Sequence, residues 1–239
     1  MRNSIIAKSI FFLLLYNLSI NSALSQNIEN HLISNQLEAI LNNQEHDLLK
    51  DLFLRKSFKQ FDKDYLDFRK KYKDAKWSVK TISNHPERQL LDVKITSKRE
   101  IGGQFYNFNS KQTVEIQNFN NKIKNYTVIN EESILNSEKS PLVVKIISPD
   151  KVLTGEKYEI NFILEKPLDS SLIASGIIVL ESNENINISN DRFGIKPNQS
   201  GGLFKYIQAP LEPGFQTISA IITHPEGIYS ITKTIKVGL

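Results

Sequence analysis

The sequence predicts an α+β N-terminal domain, with helices packed on a curved antiparallel meander, followed by an all-β C-terminal sandwich. Three observations carry this expectation. Apolar residues recur at helical spacing only as far as Tyr72, and the period changes to two from Trp77 onward. A short polar stretch at 136–141, ending in Pro141, then separates two strand-rich regions. The 239 residues are 40% apolar and 23% charged, with ten Gly and eight Pro, which excludes disordered and fibrous classes. At ordinary domain sizes this length holds two domains, placed at 32–136 and 141–239 after a signal peptide at 1–25.

The leader has three zones. Arg2 and Lys8 are its positive charges, Ile10 to Ile20 its apolar stretch, and Ala23-Leu24-Ser25 supplies small residues before a cut at Gln26. Asn17, Ser19 and Asn21 interrupt the stretch short of the ~20 apolar residues a membrane helix needs. The expectation is export to a periplasmic or extracellular location, with no membrane span after cleavage.

Composition narrows the chemistry. With 30 Lys plus Arg against 26 Asp plus Glu the net charge is +4, and two of the cations are Arg2 and Lys8 of the leader. That is too mild for a nucleic-acid partner. The absence of Cys excludes a disulfide scaffold, a thiolate zinc site and a Cys nucleophile, so an exported chain must rely on packing.

Leu37, Ile40 and Leu41 mark a first helical face, and Leu48, Leu49, Leu52 and Phe53 a second. Ser57-Phe58-Lys59-Gln60 has the form of a capping box opening a third helix. Phe58, Phe61, Tyr65, Phe68 and Tyr72 then follow at alternating spacings of three and four, five aromatics along one inward stripe. On the opposite face Asp62, Asp64 and Asp67 precede Arg69, Lys70, Lys71 and Lys73, the polarity a helix dipole favours; this reads as a solvated face. Trp77 and Val79 begin the first strand, a turn falls at 84–87, and Leu91, Val93 and Ile95 mark the second. Gly102-Gly103 breaks it. Tyr106 to Ile116 forms the third strand, a turn follows at 118–122, and the fourth runs from Ile123 to Ile134.

This pattern resembles the nuclear-transport-factor-2-like (SnoaL-like) cone fold over residues 35–135. The resemblance is carried by Leu48-Leu49 through Phe53, the helix leading into Lys76-Trp77, Lys-Arg-Glu-Ile-Gly-Gly-Gln at 98–104, and Asn-Asn-Lys-Ile-Lys-Asn-Tyr-Thr-Val at 120–128. It implies a cavity between helix and concave sheet and no particular ligand; Tyr65, Phe68, Trp77 and Tyr106 are the residues expected to line it. Enzymes of that superfamily place an Asp–His or similar polar pair inside the cone. No such pair is legible here, since His85 falls in a turn and His31 and His46 near helix ends.

Beyond Pro141, short strands alternate with turns. Val143 to Ser148, Tyr158 to Leu164, Ile177 to Leu180, a strand around Ile186 and Ile188, Leu203 to Ala209, Phe215 to Thr223 and Ile228 to Val237 make about seven. Together with Pro213-Gly214-Phe215, the 223–227 hairpin and Thr-Lys-Thr-Ile-Lys-Val at 232–237, they resemble bacterial immunoglobulin-like modules without a disulfide or a core Trp. Lys233 shares a row with Ile231 and Ile235, which predicts a bulge or an edge position there.

Candidate chemistry is sparse. His85-Pro86-Glu87 and His224-Pro225-Glu226 read as turns rather than metal ligands. The oxygen-rich run 183–191 and Asp62-Lys63-Asp64 both lack the glycine turn of a calcium loop. Nucleotide-binding loops, the Gly-x-Ser-x-Gly elbow and His-Glu-x-x-His are absent from the sequence. The expectation is an exported, non-catalytic binding or scaffold protein of the cell envelope, with no metal and no cofactor. Its partner would be an envelope protein or a small apolar ligand, with self-association through the cone left open. The alternatives are a small-molecule-binding cone with cryptic enzymatic activity and a purely structural envelope component.

Overall fold

The computed structural model describes residues 33–85, 87–165, 173–181, 194–198 and 201–238. The expected signal peptide at 1–25 and the run 183–191 with its expected strand lie outside these. Helix α1 covers 33–43, followed by α2 (His46–Leu52) and α3 (Arg55–Lys71). Four long strands come next: β1 (Lys76–Asn84), β2 (Arg88–Ile101), β3 (Gln104–Phe119) and β4 (Lys122–Ser137). The rest is β5 (Val144–Ile147), β6 (Lys151–Val152), β7 (Lys157–Leu164), β8 (Ile173–Glu181), β9 (Lys196–Asn198), β10 (Gly202–Gln208), β11 (Gly214–His224) and β12 (Gly227–Val237). The protein is thus mostly antiparallel β with a few short helices at its N-terminal side. Among the described residues no helix is long and apolar enough to cross a membrane.

Local chemistry fixes the meander. Gly102 and Gly103 have φ of 58° and 78°, and Asn120 and Asn121 have φ of 50° and 60°. Both pairs make two-residue hairpin loops whose positive φ matches the strand twist, with Asn standing in for Gly because it tolerates left-handed backbone.

The start of α3 departs from the sequence expectation. The helix begins at Arg55 with Leu54 as its N-cap, and Ser57-x-x-Gln60 makes no capping box. The Ser57 hydroxyl instead donates toward Leu54 O (2.9 Å) and Ile123 O (2.8 Å), and the Gln60 amide donates to Asp64 Oδ2. The tertiary contact overrides the local motif, because the first turn of α3 is tied to the beginning of β4. Leu54 N–H donates to Ile123 O at 2.9 Å, beside a bridge between Phe53 and Ile123.

One sheet spans both halves of the chain. Its order is β1-β2-β3-β4-β12-β11-β8-β9, with β6 pairing β12 from the side. β4 and β12 pair from Tyr229↔Asn136 to Thr234↔Glu131. A second sheet, β10-β7-β5, covers part of it. The helices and β1–β4 enclose one apolar core, including Leu49, Trp77, Leu91, Ile116 and Ile123. Ile160, Phe162, Ile218, Ile231 and Ile235 centre the other. Alternation places the two cores on opposite faces of the shared sheet, and consecutive residues of β4 serve both. Leu135 packs against the first core and Ile134 against the second.

Lys233 sits at this changeover, and the expectation of a bulge or edge strand is corrected here. The β11–β12 register is unbroken, and β12 lies inside the sheet. Its side chain is only 8% exposed. The ammonium is accommodated by charge: Nζ lies 2.8 Å from Asp150 Oδ1 and 3.7 Å from Glu132 Oε2, while Asn130 Nδ2 donates to Asp150 at 3.1 Å. The hydrogen bond from Lys233 holds the Asp150 carboxyl below its ordinary value. These groups line a polar crevice of about 320 Å³.

Removing one partner of this pair leaves a buried ammonium under-compensated, whereas removing the ammonium leaves only exposed carboxylates. Asp150→Asn is therefore expected to lower unfolding stability by about 1.5–3 kcal/mol near neutral pH. Lys233→Met should be close to neutral, and Asp150→Asn should cost little in its background. A depressed Asp150 stabilises the fold above its unfolded value and loses that contribution as pH falls through the folded one. Denaturant titrations of the four proteins at pH 7 and pH 3 check both the coupling and its loss in acid.

Candidate functional site

The concave face of β1–β4 is roofed by helices, and α1 is placed there by its polar side as much as its apolar one. Ser34, Glu38 and Asn42 recur every four residues and face the outer edge of β1. Asn42 Nδ2 donates to Trp77 O at 2.8 Å and its Oδ1 accepts from Trp77 N–H at 2.9 Å. Glu38 accepts from Val79 N–H at 2.6 Å, and Thr81 Oγ1 donates to Ser34 at 3.1 Å. The helix thereby satisfies the backbone groups of an edge strand as a neighbouring strand would. Leu37 and Leu41 of the same helix look into the space beneath.

That space is a cavity of about 290 Å³. The aromatic stripe of α3 forms one wall, with Phe53 and Phe61 stacked at 4.6 Å and Phe61 edge-on to Tyr126 at 5.7 Å. Val79, Leu91, Val93 and Ile95 form the floor. Trp77 is 7% exposed, with its ring 5.6 Å from Phe68 and 6.1 Å from Tyr65. The Arg69 guanidinium covers it at 4.3 Å. Arg69 is not merely part of a solvated basic face: it donates to Lys73 O (2.7 Å), Ala75 O and Leu41 O, and its Nε donates to the Tyr65 hydroxyl. It locks the end of α3 to α1.

Of the residues expected to line the cavity, Tyr65, Phe68 and Trp77 do so. Tyr106 does not; it is buried two residues beyond Phe108 on β3, opposite Ser137, where its hydroxyl donates to Gln104 Oε1. An Asp–His pair, illegible in the sequence, does exist. His46 Nε2 meets Asp62 Oδ1 across α2 and α3, and the imidazole stacks on Tyr65 at 6.0 Å. Neither residue lines the cavity, so the pair belongs to the outer helical surface.

The mouth of the cavity is polar. Asp64 is the only charged residue among its described lining, to which Gln112 from β3 also belongs. The Tyr126 hydroxyl donates to Asp64 Oδ2 at 3.4 Å. Burial, reinforced by the Asp64 charge, pushes that hydroxyl up to about 12, so at neutral pH it is a donor. On the same concave face, directly opposite Ile116, Gln89 is fully buried with neither amide atom hydrogen-bonded among the described residues, and the Asn118 amide is likewise unpartnered there. Neither residue was singled out by sequence. The signal for Gln89 is its place in the inward row of Leu91, Val93 and Ile95. Among the described residues no group of three or more His, Asp or Glu is arranged to hold a metal ion.

Residues 139–238, which contain β5 to β12, match the family described as a domain of unknown function (DUF8623). No curated protein matches the chain.

Asn42→Ala removes two hydrogen bonds to the Trp77 peptide and leaves an edge strand unsatisfied, so it should cost about 1–3 kcal/mol in a denaturant titration. Gln89→Met replaces an unsatisfied buried amide by an apolar chain of similar length. It is expected to raise stability by roughly 1 kcal/mol in the same titration.

Proposed function

We propose that this is an exported, non-catalytic binding protein whose N-terminal half holds a small apolar ligand. In this reading the first half is a cone of the nuclear-transport-factor-2-like type. The second is an immunoglobulin-like sandwich that presents it in the cell envelope. The observation that carries the proposal is the aromatic-walled cavity of about 290 Å³, at the small end of the range that ligand pockets occupy. Its described lining holds no histidine, and the His46–Asp62 pair is not part of it. The family match over 139–238 supports treating the second half as a module in its own right. Export is supported by the charged start, the apolar stretch and the Ala23-Leu24-Ser25 site, and predicts Gln26 as the mature N-terminus.

A scaffold role for the second half has its own support. Leu203 and Ile207 of β10 point into the core, so Phe204 and Tyr206 stand on the outer face, 55% and 78% exposed. Aromatics in such positions are the usual anchors of a protein partner.

Trp77, the sole tryptophan, reports on the cavity. Toluene titrated into the native protein should change its emission saturably. Val114→Phe, which fills space at the cavity wall, should abolish the response while leaving the blue-shifted emission of a buried indole. A native protein whose emission ignores toluene would defeat the binding reading.

A further inference from the structure

We infer that the cavity selects an amphiphile carrying a protonated amine, its apolar body among the aromatic walls and its ammonium against Asp64 at the mouth. The inference rests on the cavity binding apolar molecules at all, and adds the chemistry of the head group.

Asp64 supplies the one formal charge among the described lining residues. A carboxylate has about four acceptor sites, and the two bonds it receives here, from Gln60 Nε2 at 2.9 Å and from the Tyr126 hydroxyl, both fall on Oδ2. Oδ1 takes no hydrogen bond among the described residues. Tyr126 donates its hydroxyl proton to Asp64, which leaves the phenol oxygen able to accept a further hydrogen bond. Phe61, Tyr65 and Tyr126 line the same cavity, with Tyr65 6.0 Å and Tyr126 5.7 Å from the Phe61 ring. A cation seated within about 6 Å of one of these ring faces would be favoured by the ring quadrupole.

An anionic head group finds no cation among the described lining residues. Arg69, on the same helix as Asp64, is absent from the lining and is committed to Leu41 O, Lys73 O, Ala75 O and the Tyr65 hydroxyl. Fatty acids and other carboxylates would bring a second negative charge toward Asp64. A neutral alcohol would fit, but without the charge-assisted bond.

The test uses three probes with one eight-carbon tail, octylamine, 1-octanol and octanoate, titrated at pH 7 against the full-length mature protein with Trp77 emission as the readout. The amine is expected to bind roughly fivefold more tightly than the alcohol, the gain of an exposed ion pair, and octanoate more weakly than either. Raising the salt should shrink the preference, and Asp64→Asn should bring the amine within about twofold of the alcohol. Asp64→Glu should keep the preference, which preserves the test if the Asn variant fails to fold. Equal affinity for amine and alcohol, or tightest binding by octanoate, overturns the head-group assignment while leaving the apolar cavity intact. Failure of all three to bind overturns both.

Discussion

The pairing of β4 with β12 is the constraint on which the rest of the molecule depends. Six residue pairs join the N-terminal meander to the strands of the second half, and the sheet that results has its helices on one face and its second sheet on the other. Where the covered face changes, neither side is fully roofed, and polar groups collect. Lys233, Glu132, Asn130 and Asp150 occupy one face of the changeover. On the other, Ser110 bonds Ser133 and Ser219 bonds Thr232, a cross-strand row of hydroxyls in place of apolar side chains. A buried lysine in the middle of a strand is costly in a finished core. At a seam between two cores it finds counter-charge from two carboxylates that remain exposed.

The cavity owes its existence to a similar division of labour in α1. One stripe of that helix contributes Leu37 and Leu41 to the apolar wall, and another replaces the missing neighbour of β1. Because the helix is held by hydrogen bonds at the strand edge, it need not fill the concavity to stay in place. Arg69 fastens its far end through Leu41 O and covers Trp77 from outside. The space under α3 can therefore stay open without the roof collapsing into it, the outcome packing alone would favour.

Local features were legible in the sequence. The five-aromatic stripe, the switch to period two, and the turns at 102–103 and 120–121 all follow from residues within a few positions of one another. Three of the four expected lining residues belong to that stripe or to the strand after it; Tyr106 failed because reaching it meant counting outward across two strands. What could not be read was non-local. Ser57 has the sequence of a cap, yet its hydroxyl is directed to Ile123, on a strand much later in the chain. His46 and Asp62 meet only because α2 folds back on α3. Two signals were present but ambiguous. Ser34, Glu38 and Asn42 at four-residue spacing look like any solvent-facing stripe, and the adjacent Ile134 and Leu135 break the alternation of a one-sided strand. Both mark surfaces that something else must cover.

The last strand in the sequence lies in the interior of the sheet. Lys233 and its neighbour Asn130 are 103 positions apart in the chain. Closing a loop of that size is entropically slow, so contacts of this kind form late. Until they form, β4 presents an unpaired edge that already carries Ile134 on one side and Leu135 on the other. A chain emerging N-terminus first would complete its helices and meander early, then wait for its final eleven-residue strand before the seam could close. The interval before closure, not the finished fold, is when this protein is most open to pairing with a stray strand, and the most in need of a chaperone.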